Sequence, residues 1–128
     1  MKSKLVLLVG IGGGLGSIAR FLCQKYIYEA SPGSNFPWGT FVVNISGCLL
    51  IGIFYALAEK GQLMNAEWRI FLATGFCGGF STFSAFTFET FSLLRSGNSS
   101  MAIFNIIISV VGCLLFLLFG WKLAVANS

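Results

Sequence analysis

The sequence predicts an all-α membrane protein of four transmembrane helices, and three observations predict it. The chain has 128 residues, of which 56% are hydrophobic and 9% charged, a composition that belongs in a bilayer rather than in a soluble domain. Four apolar stretches, roughly 5–26, 38–58, 68–94 and 101–125, each approach or exceed the ~20 residues that a helix needs to cross the hydrocarbon core. The segments "EASPGSNFP", "EKGQLMNAE" and "RSGNSS" separate them with polar and helix-breaking residues. The aromatics Tyr26, Tyr28, Trp38, Trp68 and Trp121 fall near the ends of the stretches, as interfacial belts require. So little chain lies outside this single transmembrane domain that function must sit within the spans or between subunits.

Several function classes are excluded by what is missing. The four cysteines, Cys23, Cys48, Cys77 and Cys113, form no CxxC pair and have no histidine to join them on a metal, so they read as small apolar packing residues. The lack of histidine also removes the usual proton shuttle. Four acidic residues leave little material for general acid/base catalysis, so the protein is not expected to be an enzyme. The net charge of +4 comes from basic residues scattered singly between Lys2 and Lys122, a pattern of membrane-edge residues without a nucleic-acid patch. Lys2 and Lys4 before an apolar run look like a signal peptide. No small-x-small cleavage site follows, and the run is read as the first span.

In the first span, Gly14, Gly16 and Ala19 match the G-x-G-x-x-G/A dinucleotide pattern. A preceding strand and an acidic residue about 20 positions on are both lacking, so that reading fails. Gly12 and Gly16 instead have the small-xxx-small spacing that lets helix backbones approach closely in lipid. Arg20, one turn later, is either a snorkelling or structural edge residue or a vestibule charge. In the second span, Thr40, Asn44 and Gly47 share a helix face, and the fourth span repeats the device with Asn105, Ser109 and Gly112. Either face alone reads as interhelical hydrogen bonding, worth ~0.6 kcal/mol per bond on average. Together, and beside the third span, they suggest a polar pathway.

The third span carries "GFCGGFSTFSAFTFET", residues 75–90. On a regular helix from Thr82 onward, Thr82, Phe83, Phe86, Glu89 and Thr90 fall within an arc of about 120° at ~100° per residue. A packing stripe does not need the hydroxyls, and a lipid-facing one excludes Glu89. A membrane-edge position for Glu89, near Arg95, is the alternative. Gly75, Gly78 and Gly79 weaken the backbone. They serve either a straight, closely packed helix or a break near 78–81, where unwound carbonyls can hold a cation. The Phe ring is negative on its face and positive at its edge. Ring edges with Asn, Ser and Thr donors favour a small anion, whereas cation filters use rings of carboxylates or carbonyls.

The stretches "GGGLGSIAR" (12–20), "PWGTFVVNISG" (37–47) and "GFCGGFSTFSAFTFE" (75–89) resemble the Fluc, or CrcB, fluoride channels, in order and spacing over nearly the whole chain. The resemblance implies a passive, fluoride-selective channel of the bacterial inner membrane. It implies an antiparallel dual-topology homodimer with two pores and a structural sodium ion at the dimer centre. It further implies that Asn44 lines the pore, that Phe83 and Phe86 contact fluoride, and that the Gly78 and Ser81 carbonyls hold sodium. Thr40, Ser84, Ser109 and Glu89 would belong to the polar lining, and Arg20 matches the first-span arginine of the family. Ala85 stands where members often carry Thr, and Cys113 and Leu117 where some members carry hydroxyls, which leaves the track beyond the rings thinner.

Dual insertion agrees with the charge distribution. Lys2, Lys4, Lys60, Arg69 and Lys122 lie on one side of a four-span chain and Arg20, Lys25 and Arg95 on the other, five against three, too even a split to fix orientation. An inside-negative potential drives an accumulated anion outward without ATP or proton coupling. Two rival readings remain. One is a small four-helix antiparallel exporter of organic cations, which wants a carboxylate in the first span, and none stands between Met1 and Gln24. The other is a non-conducting membrane assembly subunit, whose glycines and hydroxyls would serve only packing.

Overall fold

The structure, a computed structural model, describes residues 2–59 and 65–126, and every regular element among them is helical. Helix α1 runs Lys2–Ala30, past the end of its apolar stretch, because nothing stops it before Ser31-Pro32-Gly33. Gly33 supplies a positive φ of 79° that only glycine adopts freely. Helix α2, Trp38–Glu59, begins where Pro37 rules out further upstream pairing, and the Pro37 carbonyl accepts the Phe41 N–H at 3.1 Å. Lys60, one of the basic residues in the charge comparison, lies outside the described residues.

The third span is assembled from pieces. Helix α3, Ala66–Arg69, is capped by the Asn65 side chain, which accepts the Trp68 N–H at 2.9 Å. A π-helical segment, Ile70–Cys77, follows, and then the single turn α4, Gly78–Phe80. Ser81 and Thr82 are extended, with ψ of 157° and 121°. Helix α5, Phe83–Arg95, starts under a Thr82 cap, and Gly97, with φ of 83°, turns the chain into α6, Ser99–Ala126. The Asn98 and Gly97 amides donate to the Leu93 and Leu94 carbonyls at 2.8 and 3.1 Å, closing the α5 end as glycine-terminated helices do.

The helices pack as two pairs. Lys4 Nζ meets Glu67 Oε2 at 2.7 Å, so α1 and the third span start at the same end. At the other end the Phe36 ring, just ahead of α2, lies 5.6 Å from that of Phe104 on α6. α1 lies along the third span and α2 along α6. Four helices are long and apolar enough to cross a membrane, and large side chains from Val6 to Phe21 on α1 and from Ile103 to Phe119 on α6 point outward. Beside Phe36 and Phe80, the interior is made mostly of small groups, Val43, Ala56, Ala73, Cys77 and Ala102, joined by Asn105. Small residues suit a bundle in lipid, where contact comes from close backbone approach more than from expulsion of water.

Gly12 and Gly16 sit at the closest approach of α1 to the third span. A Cβ on Gly12 would come within 3.2 Å of the Gly75 Cα, and one on Gly16 would collide with the Phe76 carbonyl. Backbone cannot yield as a side-chain tip can. Gly16→Val should therefore cost about 1–3 kcal/mol and lower the temperature at which the protein survives in detergent by size exclusion. Gly14→Ala, with nothing within 4 Å of the added carbon, should leave that temperature unchanged or slightly raised.

Candidate functional site

Between α4 and α5 the extended residues Ser81 and Thr82 are held by side chains. In a continued helix the Thr82 N–H would donate to the Gly78 carbonyl. Instead it donates to Asn44 Oδ1 at 2.7 Å, while Asn44 Nδ2 donates to the Thr82 carbonyl at 3.0 Å. The Ala85 N–H, which would have gone to the Ser81 carbonyl, goes to Thr82 Oγ1 at 3.1 Å. Both donors that would occupy the Gly78 and Ser81 carbonyls are thus diverted. Two neighbouring carbonyls are taken: Arg20 Nε donates to Gly79 at 2.9 Å, and Ser81 donates to Cys77 through both Oγ (2.8 Å) and its N–H (3.0 Å). Arg20 therefore reaches from α1 to the break and is not an edge residue pointing away from the bundle.

Immediately past the break stand Phe83 and Phe86. Their ring centroids are 5.6 Å apart with planes tilted by 44°. Phe86 is half-buried and Phe83 is 78% exposed, so one ring is braced by its own chain and the other projects from it. Ser84 is exposed, its Oγ 3.2 Å from Thr82 Oγ1; these two hydroxyls share one hydrogen bond and keep one proton spare.

A second polar chain leads toward a cavity of about 750 Å³ between the end of α1, the 31–37 connection, the start of α2 and α5. Gln24 Nε2 donates to Thr40 Oγ1 at 3.1 Å, and Thr40 donates to Glu89 Oε2 at 2.9 Å. Glu89 lines the cavity wall, but its Oε1 is buried without a hydrogen-bond partner. A carboxyl oxygen left so inside a bundle calls for a proton or a visiting donor. A third chain lies deeper. Ser109 donates to Asn105 Oδ1 at 3.1 Å, Asn105 Nδ2 to Thr90 Oγ1 at 2.9 Å, and Thr90 Oγ1 to the Phe86 carbonyl at 2.8 Å.

These directions settle which groups still have a proton to offer an anion. A hydroxyl has one, and those of Thr40 and Ser109 are already committed. Asn44 retains one of its two N–H groups, and the Thr82/Ser84 pair retains one O–H. The arrangement therefore brings together a single amide N–H, one hydroxyl and two aromatic rings beside two released carbonyls. No group of three or more His, Cys, Asp or Glu that could hold a metal occurs among the described residues.

The profile described as "CrcB-like protein, Camphor Resistance (CrcB)" matches residues 7–121. The chain belongs to the CrcB family. Similar proteins include one from Leptospira interrogans serogroup Icterohaemorrhagiae serovar copenhageni, 46% identical over 110 residues, 86% of either chain. One from Pyrococcus abyssi is 45% identical over 125 residues, 97% of this chain and 98% of the relative. One from Clostridium perfringens strain 13 is 44% identical over 123 residues, 96% and 95% of the two chains. Each of the three is named "Fluoride-specific ion channel FluC".

Within this CrcB chain one participant and one pairing escape the sequence reading. Gln24 reads as the polar end of an apolar stretch; only its placement beside Thr40 reveals it as the start of the chain to Glu89. Asn105 and Thr90 each show a polar group on a helix face, yet nothing in the spacing couples the two faces.

Proposed function

We propose that the protein is a passive, fluoride-selective ion channel. The observation that carries this reading is that the family match, 7–121, takes in every group from Arg20 to Ser109 that surrounds the break, and that relatives matched over 86–97% of this chain bear the name of a fluoride-specific channel. The local chemistry supports it. Fluoride is small and strongly hydrated, so a pathway must replace part of its water with donors. Asn44 N–H, the Thr82/Ser84 hydroxyl and the positive edges of Phe83 and Phe86 can do so without a fixed positive charge that would trap the ion. The cavity between α1 and α5, reaching Thr40 and Glu89, serves as the entrance.

In the proposed assembly two chains of opposite orientation form the homodimer in the bacterial inner membrane, surrounded by lipid, and each of two pores is completed by the partner. The even charge split and the outward-projecting Phe83 support this. A structural sodium ion fits the residues present. The Gly78 and Ser81 carbonyls are two whose helix donors, the Thr82 and Ala85 N–H groups, are diverted to side chains, Gly78 is exposed with open space beside it, and hard cations take oxygen ligands. When bound, such an ion would be held by these carbonyl oxygens; Asn44 and the Thr82 hydroxyl keep their helix donors diverted, and Arg20 engages the Gly79 carbonyl.

The test is efflux from liposomes. Vesicles loaded with potassium fluoride and containing the purified protein should release fluoride to an ion-selective electrode once a potassium ionophore relieves the charge, while chloride-loaded vesicles should not respond. A flat fluoride trace from well-folded protein would reject the proposal.

A further inference from the structure

The chain Ser109–Asn105–Thr90 ends on the carbonyl of Phe86, and nothing about packing alone requires that. Threonine hydroxyls commonly bond the carbonyl one turn back in membrane helices and bend them slightly. α5 contains three such bonds: Thr87 to Phe83 at 2.9 Å, Thr90 to Phe86 at 2.8 Å and Ser92 to Phe88 at 3.0 Å. Thr87 and Ser92 are exposed, whereas Thr90 is 7% exposed. Thr90 alone of the three is gripped by another helix, through Asn105, which is 1% exposed.

The direction of the chain is forced. With its one proton on the Phe86 carbonyl, Thr90 can only accept, so Asn105 must present its N–H₂ group. That turns Asn105 Oδ1 toward Ser109, which then has to donate. Each group is satisfied by the next in a single sense, and the Phe86 carbonyl of α5 is thereby tied to α6.

We propose that Asn105 and Thr90 are positioning residues for the Phe86 ring, setting its place in the pathway from α6 without touching the anion. The inference rests on the reading above that Phe86 faces the permeating ion. It gives Ser109 a different duty from pore donor: its proton locks the orientation of the Asn105 amide.

The experiment compares Thr90→Val, which removes the hydroxyl at nearly constant shape, Thr90→Ser, which restores it, and Asn105→Leu. Two quantities are read on the assembled fraction. One is fluoride efflux per assembled protein; the other is the 19F spectrum of a fluorine label on the ring at position 86. Thr90→Val and Asn105→Leu should lower efflux on the order of tenfold and shift or broaden the ring signal, and Thr90→Ser should return both to near the parent. Parent-like efflux and an unchanged ring signal in Thr90→Val would overturn the inference, whatever the loss of assembled protein. If Asn105→Leu does not assemble, the two Thr90 variants decide the question by themselves. A parent protein that passes no fluoride rejects the channel reading instead; the ring signal then still reports whether Thr90 positions Phe86.

Discussion

Replacing Phe86 by isoleucine should cut fluoride efflux far more than it loosens the protein. Isoleucine keeps most of the apolar volume and loses the ring quadrupole, the one feature through which a hydrocarbon side chain attracts an anion at its edge. If the ring edge stabilises dehydrated fluoride by about 2–3 kcal/mol, removing it lowers the rate roughly 30- to 160-fold. The stability cost of such a core swap is on the order of 1–2 kcal/mol. Phe83→Ile should show the same loss of flux with a smaller loss of stability in the chain itself, because Phe83 is 78% exposed while Phe86 is half-buried. Efflux and detergent-stable fraction measured on both variants separate the two effects. Near-parent flux through correctly assembled Phe86→Ile would refute the ring-edge mechanism even in a working channel. A large fall in assembly with unchanged flux per assembled protein would make both rings packing residues.

The four apolar stretches and their aromatic ends were legible because hydropathy and span length are properties of contiguous sequence, which the bilayer reads directly. The polar residues of the site were legible as types on faces: Thr40 and Asn44, Asn105 and Ser109, Phe83 and Phe86. Their partners were not. Hydrogen bonds between Asn44 and Thr82, separated by 38 residues, or between Thr40 and Glu89, separated by 49, depend on which helices lie side by side. A periodic pattern carries no such pairing. Proton direction was equally hidden. Ser109 and Thr40 both look like donors on a helix wheel, and each has its only proton engaged. The ring pair shows the same limit of wheel geometry. Phe83 and Phe86 stand about 60° apart at ~100° per residue, a separation that says nothing of their contact, and their centroids lie 5.6 Å apart with planes tilted by 44°. The π-helical segment Ile70–Cys77 had no signal beyond Gly75 within it and the glycines that follow it, since a wider turn leaves apolar composition unchanged.

Asn44→Leu should abolish most of the flux and, with it, any response of the protein to sodium. Asn44 performs two duties at one amide: Oδ1 and one N–H tie down the Thr82 backbone, and the second N–H remains for an anion. Leucine removes all of them. The backbone then has two courses. The Thr82 N–H can return to the Gly78 carbonyl, healing the helix, withdrawing one of the two released carbonyls and turning Phe83 and Phe86 away from their present bearing. Or the break persists with an unpaired N–H and C=O, at about 1–3 kcal/mol for each buried group. On either course the pathway loses a donor and the rings lose their reference, and flux should fall on the order of 100-fold or more. Asn44→Asp divides the duties, because a carboxylate still accepts the Thr82 N–H while offering no N–H and placing a negative charge beside the anion's path. That variant should keep the break, and with it the sodium response, yet pass little fluoride. The measurement pairs efflux with thermal stability in sodium against N-methylglucamine. The parent and Asn44→Asp are expected to be more stable in sodium, and Asn44→Leu indifferent to the exchange. Parent-like flux together with a parent-like sodium response in Asn44→Leu would show that the break stands without its amide clamp, and the proposed origin of the released carbonyls would fall.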